Sequence, residues 1–262
     1  MQQTTRASLL LCVLAIIPEA VRADAGPPFL TNDPGTPGNG NWEINLGSMV
    51  TIEPRFSSYQ LPLIDVNYGL GDRIQLTYEV PYVLDVADNQ PHRTAWGNAF
   101  PGVKWRFFDQ GEDGWQLSTF PQLLVSAPAH AVQTGIGAAG TRLFLPIEAN
   151  RRVGPLDFDF EAGYFAVGHE PRERIFGFVM GGNPTERLEL DLEAYNDHMM
   201  GAPSGDTTLD IGGRFVISPA FIAMFMAGHS VGGTSGGQPG YIAYVGIQIL
   251  LSDYGLKLRT GK

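Results

Sequence analysis

Three sets of residues in this 262-residue chain have types and spacings that invite chemistry. The first is a pair of acidic triplets, Asp157, Asp159 and Glu161, then Glu189, Asp191 and Glu193, each interleaved with apolar residues. Carboxylates two apart share one face of an extended strand, so each triplet lines a single wall. A water-filled wall of that kind attracts cations, whereas a narrow interior is filled by internal ion pairs. Lys104, Arg106, Arg142 and Arg214 fall on the same kind of face, as do Glu79 and the aromatic residues Phe120, Phe144, Phe165 and Tyr195. These residues either line a solute path or pair and pack with one another.

The second set is five histidines, His92, His130, His169, His198 and His229, one in each of five segments that read as connections. Converging imidazoles would bind a metal or answer pH. No two have ligand spacing along the chain, so no metal is assigned. The third is Gly135-Ile136-Gly137-Ala138-Ala139-Gly140, a GxGxxG string. Dinucleotide binding needs that string between a strand and a helix, whereas here it runs straight into a strand pattern at Thr141. No serine is placed beside a histidine by the pattern, so no catalytic set and no cofactor emerge, and the chain is not read as an enzyme.

The elements that must position these residues alternate with period two. Trp42, Ile44, Leu46, Val50 and Ile52 oppose Glu43, Asn45, Thr51 and Glu53; Ile74, Leu76, Tyr78, Val80 and Tyr82 oppose Arg73, Gln75, Thr77 and Glu79. The scheme continues through Val103–Phe107, Leu143–Ile147, Phe158–Tyr164, Leu188–Leu192, Leu209–Ile217 and Tyr241–Ile249, giving about twelve strands of roughly ten residues. Segments 175–182 and 221–228 alternate poorly and are placed by the turns around them. Short turns near 69–72, 109–114, 152–155, 183–186 and 218–220 alternate with longer loops at 83–98, 128–140, 168–173, 197–206 and 229–240; only the first connection, at 54–58, is tight on the loop side. That is an up-and-down antiparallel meander with one elaborated rim.

Charge and leader bound what encloses the meander. Residues 1–25 carry Arg6, an apolar run from Leu9 to Ile17 and a small-x-small site at Ala23-Asp24-Ala25, which reads as a signal peptide cut before Gly26. Cys12, the single cysteine, lies within it, so no disulfide is available afterwards. The net charge is −10 and stays so after cleavage, which removes two basic and two acidic residues; a nucleic-acid partner is excluded on that balance. No later segment has the apolar length of a membrane helix.

An apolar face without charge, aromatic residues at both strand ends and an even strand number after a signal peptide favour lipid on the outside over a soluble barrel or sandwich. Trp42, Tyr68, Trp105, Phe107, Trp115, Phe158 and Phe215 lie toward the short-turn end, with Tyr82, Tyr164 and Tyr241 toward the other. The expected architecture is all-β, an up-and-down antiparallel transmembrane β-barrel. It comprises an extended periplasmic lead at 26–40, the barrel at 41–251 and a periplasmic tail at 252–262.

GPPFLTNDPGTPGNGNWEINLG, then LPLIDVNYGLGDRIQLTYEVPY and GVKWRF, resemble the opening of the outer-membrane proteins grouped as the meta-pathway phenol-degradation family. The likeness is strongest over 26–107. It implies an outer-membrane barrel, inserted by the barrel-insertion machinery and linked to uptake of aromatic compounds. It carries no binding-site residue, because the matching positions are turn and strand markers. The expected function is a passive channel or transporter for small molecules, hydrophobic or aromatic ones among them. The alternatives are a closed structural or ligand-binding barrel with functional outer loops, and a soluble periplasmic barrel around an apolar ligand.

Overall fold

The computed structural model describes residues 25–111, 113–167, 173–200, 205–232, 240–252 and 255–256. Twelve antiparallel strands close on themselves. They are β1 (Asn41–Glu53), β2 (Phe56–Leu70), β3 (Ile74–Ala87), β4 in two pieces (Arg93–Trp96 and Phe100–Asp109) and β5 in two pieces (Trp115–Thr119 and Gln122–Leu124). There follow β6 (Arg142–Val153), β7 (Leu156–Val167), β8 (Glu173–Thr185), β9 (Leu188–Met199), β10 (Asp206–Ser218), β11 (Phe221–Gly232) and β12 (Tyr241–Ser252). Each strand pairs with its sequence neighbour, and β1 pairs with β12 from Asn41↔Ser252 to Ile52↔Tyr241. Closure removes both sheet edges, which a chain in hydrocarbon must do to satisfy its backbone.

The two faces are sorted as the alternation requires. Leu76, Ile147 and Leu190 are exposed on the outside, Ile147 by 53%, whereas Glu148 and Asp191 beside them are buried. Rings cluster at both ends of the outer wall: Trp42 against Tyr68 at 4.7 Å and Trp105 against Phe107 at 5.8 Å on the short-turn side, Tyr82 against Trp96 at 5.2 Å on the loop side. Amphipathic rings suit the two interfaces of a bilayer.

Strands run further than the alternation alone indicates. The turn expected at 54–58 is only the two residues between β1 and β2, and the loop expected at 83–98 contains the end of β3 and the first piece of β4. Loop 128–140 holds a short helix, α1 (Ala129–Thr134), and Gly135 ends it in the left-handed conformation at φ 76°. That glycine is a helix cap, so the GxGxxG string follows a helix instead of opening one.

Two interruptions have a shared cause. Pro121, in the gap of β5, lies one residue off register from Pro146 of β6, and Pro81 of β3 pairs with Leu63, next to Pro62 in the register shift between Gln60 and Leu63 of β2. Proline donates no ladder hydrogen bond, so prolines close together on neighbouring strands open a gap. In β4 the three residues Gly97, Asn98 and Ala99 stand opposite only two of β3, which bulges the strand.

Residues 25–40 do not lie below the barrel as a periplasmic lead. They fold into the lumen. Pro28 and Pro34 are fully buried, Thr31 is 0% exposed and Phe29 5%. The segment leaves on the short-turn side, where Gly40 N donates to Gly69 O at 2.9 Å and Thr36 Oγ1 to Asp72 O at 3.0 Å. The physical reason is a match on both faces: its apolar side chains find apolar lumen walls, and its backbone polar groups find charged side chains. The leader assigned to 1–25 lies outside the described residues apart from Ala25, as does the tail 252–262 apart from 252 and 255–256.

Candidate functional site

The lumen is built by the inward parity of every strand. Glu79 on β3, Lys104 and Arg106 on β4, Arg142 and Phe144 on β6, Asp157, Asp159, Glu161 and Phe165 on β7, Glu189, Asp191 and Glu193 on β9 and Arg214 on β10 all share the inward register. Phe120 enters from the gap in β5 and is 3% exposed. Most of the charged set is nine-tenths buried or more, at 4% exposure for Lys104, 6% for Arg214 and 3% or less for the two acidic triplets.

Part of this set pairs internally. Arg214 Nη1 meets Glu189 Oε1 at 2.5 Å across β9 and β10, Lys104 Nζ lies 3.7 Å from Glu148 Oε2, and Arg142 meets Glu173 at 2.8 Å. Ser118 donates to Glu148 at 2.5 Å and Asn150 to Asp159 at 2.7 Å. The aromatic residues pack on the wall and on cations: Phe144 and Phe165 are 4.9 Å apart, the Arg142 guanidinium sits 4.0 Å over Phe165, and Lys104 lies 4.8 Å from Phe120.

The rest holds the inserted segment. Glu193 accepts from Thr31 N at 2.6 Å and from Leu30 N at 3.1 Å, and Glu161 accepts from Asn32 N at 2.9 Å. Three consecutive amides thus donate to two carboxylates. On the other side Arg214 donates to the carbonyls of Ala25, Gly26 and Pro27 at 2.8–3.1 Å, and Lys104 Nζ donates to the Asp33 carbonyl. Hydrogen bonds to ionised groups are the strong ones, and here they grip backbone that would otherwise be buried without partners.

Packing completes the seat. Ala25 and Phe29 belong to one buried cluster with Leu63, Val179, Met224, Met226 and Tyr244. Val179 and the two methionines are inward residues of β8 and β11, the strands that alternate poorly in sequence. Their lumen face is apolar because it receives the plug. Gly177, also inward on β8, leaves the hollow that Thr31 occupies, and a Cβ there would collide with the Thr31 side chain. Sequence reasoning missed the plug; the signal was the lost alternation at 175–182 and 221–228 beside a proline-rich lead.

Toward the loop rim the lumen retains a cavity of about 320 Å³ lined by Phe56, Val83, Phe100 and Ile136 with Ser58 and Asp85. The histidines do not converge on it. His92 is in the turn after β3, His130 on α1, His198 near the end of β9 with Nδ1 3.5 Å from Arg174, and His229 on β11 beside the Tyr241 ring. His169 lies outside the described residues. Among the described residues no three His, Cys, Asp or Glu side chains gather as metal ligands.

No family model matches the chain, and no curated protein matches it. The narrower likeness to the phenol-degradation family is therefore not confirmed. Solved structures do match in fold. The COG4313 outer membrane channel from Pseudomonas putida F1 superposes with a TM-score of 0.58 at 10% identity, over 87% of this chain and 100% of that one. The NanC porin gives 0.57 at 8% identity, over 82% and 100%. A KdgM porin in complex with disordered oligogalacturonate gives 0.51 at 6%, over 79% and 98%. At these identities the likeness establishes architecture: this chain has the closed antiparallel barrel fold of outer-membrane channels.

Proposed function

We propose that the protein is an outer-membrane channel for small solutes, with an acidic lumen that favours cations and neutral molecules and with its own N-terminal segment as a plug. The observation that carries this reading is the inversion of the barrel. Its apolar side chains face outward between two belts of rings, and its carboxylates face the axis. A lumen with more acids than bases disfavours anions by Coulomb repulsion in a confined, low-dielectric space. The loop-side cavity, part aromatic and part polar, suits a small solute with an apolar or aromatic body. The KdgM neighbour is described with an anionic saccharide; the acidic lumen here argues for a different solute class.

The test is swelling of liposomes containing the folded protein with residues 26–33 removed, in cationic, neutral and anionic solutes of matched size. Cationic and neutral solutes enter faster than anionic ones if the reading holds. Equal exclusion of all three favours the alternative of a closed barrel whose outer loops bind something, a reading to which the deeply seated plug gives its own support.

A further inference from the structure

Asp210 stands apart from the other lumen carboxylates. It is on the inward face of β10, directly across from Glu193 of β9. It is 6% exposed, neither of its oxygens receives a hydrogen bond, and it takes part in no ion pair among the described residues. Gly228 of β11 is its partner on the other side, where any Cβ would collide with Asp210, so the glycine leaves space beside the carboxylate. Asp191, its neighbour along the ladder, has the Arg214 charge nearby; for Asp210 the prominent charged neighbour is another carboxylate.

Two buried carboxylates side by side repel unless they share a proton, as the contact between Asp210 and Glu193 allows, or a cation takes that proton's place. Glu193 already gives one oxygen to Thr31 N and the other to Leu30 N, and each oxygen keeps lone pairs to spare. The pair lies level with the tip of the plug and on the loop side of Arg214, so a solute entering from the loops meets it as it reaches the plug. A metal would want a third ligand, and no such triad exists among the described residues. An ammonium group needs only two or three acceptors and carries three donors.

We propose that Asp210 and Glu193 form a binding site for the ammonium group of an organic amine. An amine seated there shares the Glu193 charge with the Leu30 and Thr31 amides and weakens their hold, so the same solute that occupies the lumen loosens the plug. This rests on the lumen being a solute path and names the class of solute that it takes.

The experiment is calorimetric titration of the folded protein in detergent with spermidine, which needs no conduction and so stands or falls separately from transport. Each variant is scaled to its folded fraction on unboiled gels. The wild type is expected to bind saturably, Asp210→Asn at least tenfold more weakly, and Asp210→Glu within a few fold of wild type. Glu186→Gln, which removes an equal charge from an exposed turn, leaves binding unchanged. Wild-type binding that is absent, or equal in Asp210→Asn, overturns the proposal. Calcium alone displacing spermidine at equal or lower concentration also overturns it, since the pair would then be a metal site.

Discussion

Single residues decide how firmly the inserted segment is held. Replacing Glu193 with Ala removes two charge-assisted hydrogen bonds from plug amides, each worth about 1.5–3 kcal/mol. Single-channel conductance should rise, and Glu193→Gln, which keeps an acceptor, should raise it less. Phe29 contributes burial of about 1.5–3 kcal/mol for a large apolar side chain, with 5% of its surface exposed. Gly177→Ala leaves every charge in place but puts a methyl group where Thr31 sits. It should therefore open the channel much as Glu193→Ala does, and an unchanged conductance for Gly177→Ala would show that the hollow does not seat the plug. Arg214→Ala removes both the Glu189 ion pair and the donors to three plug carbonyls. Losing one partner of a buried pair costs about 3–5 kcal/mol, so the barrel's unfolding temperature on unboiled gels should fall along with plug retention.

Strands record in their alternation which solvent each face meets, and that makes the barrel legible in the sequence. Leu188, Leu190 and Leu192 against Glu189, Asp191 and Glu193 can be read only as a two-faced ribbon, and the lumen residues followed from that parity. Where parity failed, the reason was a third surface. Val179, Met224 and Met226 are inward and apolar because residues 25–40 cover them, and no local pattern reveals a partner that lies more than a hundred residues away in sequence. The nearness of prolines on neighbouring strands, Pro121 by Pro146 and Pro62 by Pro81, is hidden for the same reason: register across strands is not written in either strand alone. The outward face gives a prediction at this scale. Ile147 lies midway along β6, so Ile147→Arg should cost about 2–4 kcal/mol, the penalty for arginine near a bilayer midplane. Urea titration of the protein folded into lipid vesicles measures it, and a loss below about 0.5 kcal/mol would mean that Ile147 does not face lipid.

At the scale of the whole molecule the fold makes one object of two parts that the sequence presents separately, a proline-rich lead and a two-faced meander. The barrel's apolar exterior gives it a place in a membrane, its acidic interior sets the sign of the field along the axis, and the lead occupies that interior. An acidic lumen closed by its own N-terminal segment should pass little current until the segment is removed, and then should pass mainly cations. Planar-bilayer recording of the wild type beside a variant lacking residues 26–33, under a salt gradient, tests this most directly. The account predicts small or no currents for the wild type, a several-fold larger conductance for the shortened chain, and a reversal potential of the sign set by cation flow. A shortened barrel that inserts correctly yet conducts no better, or that reverses on the anion side, would contradict it.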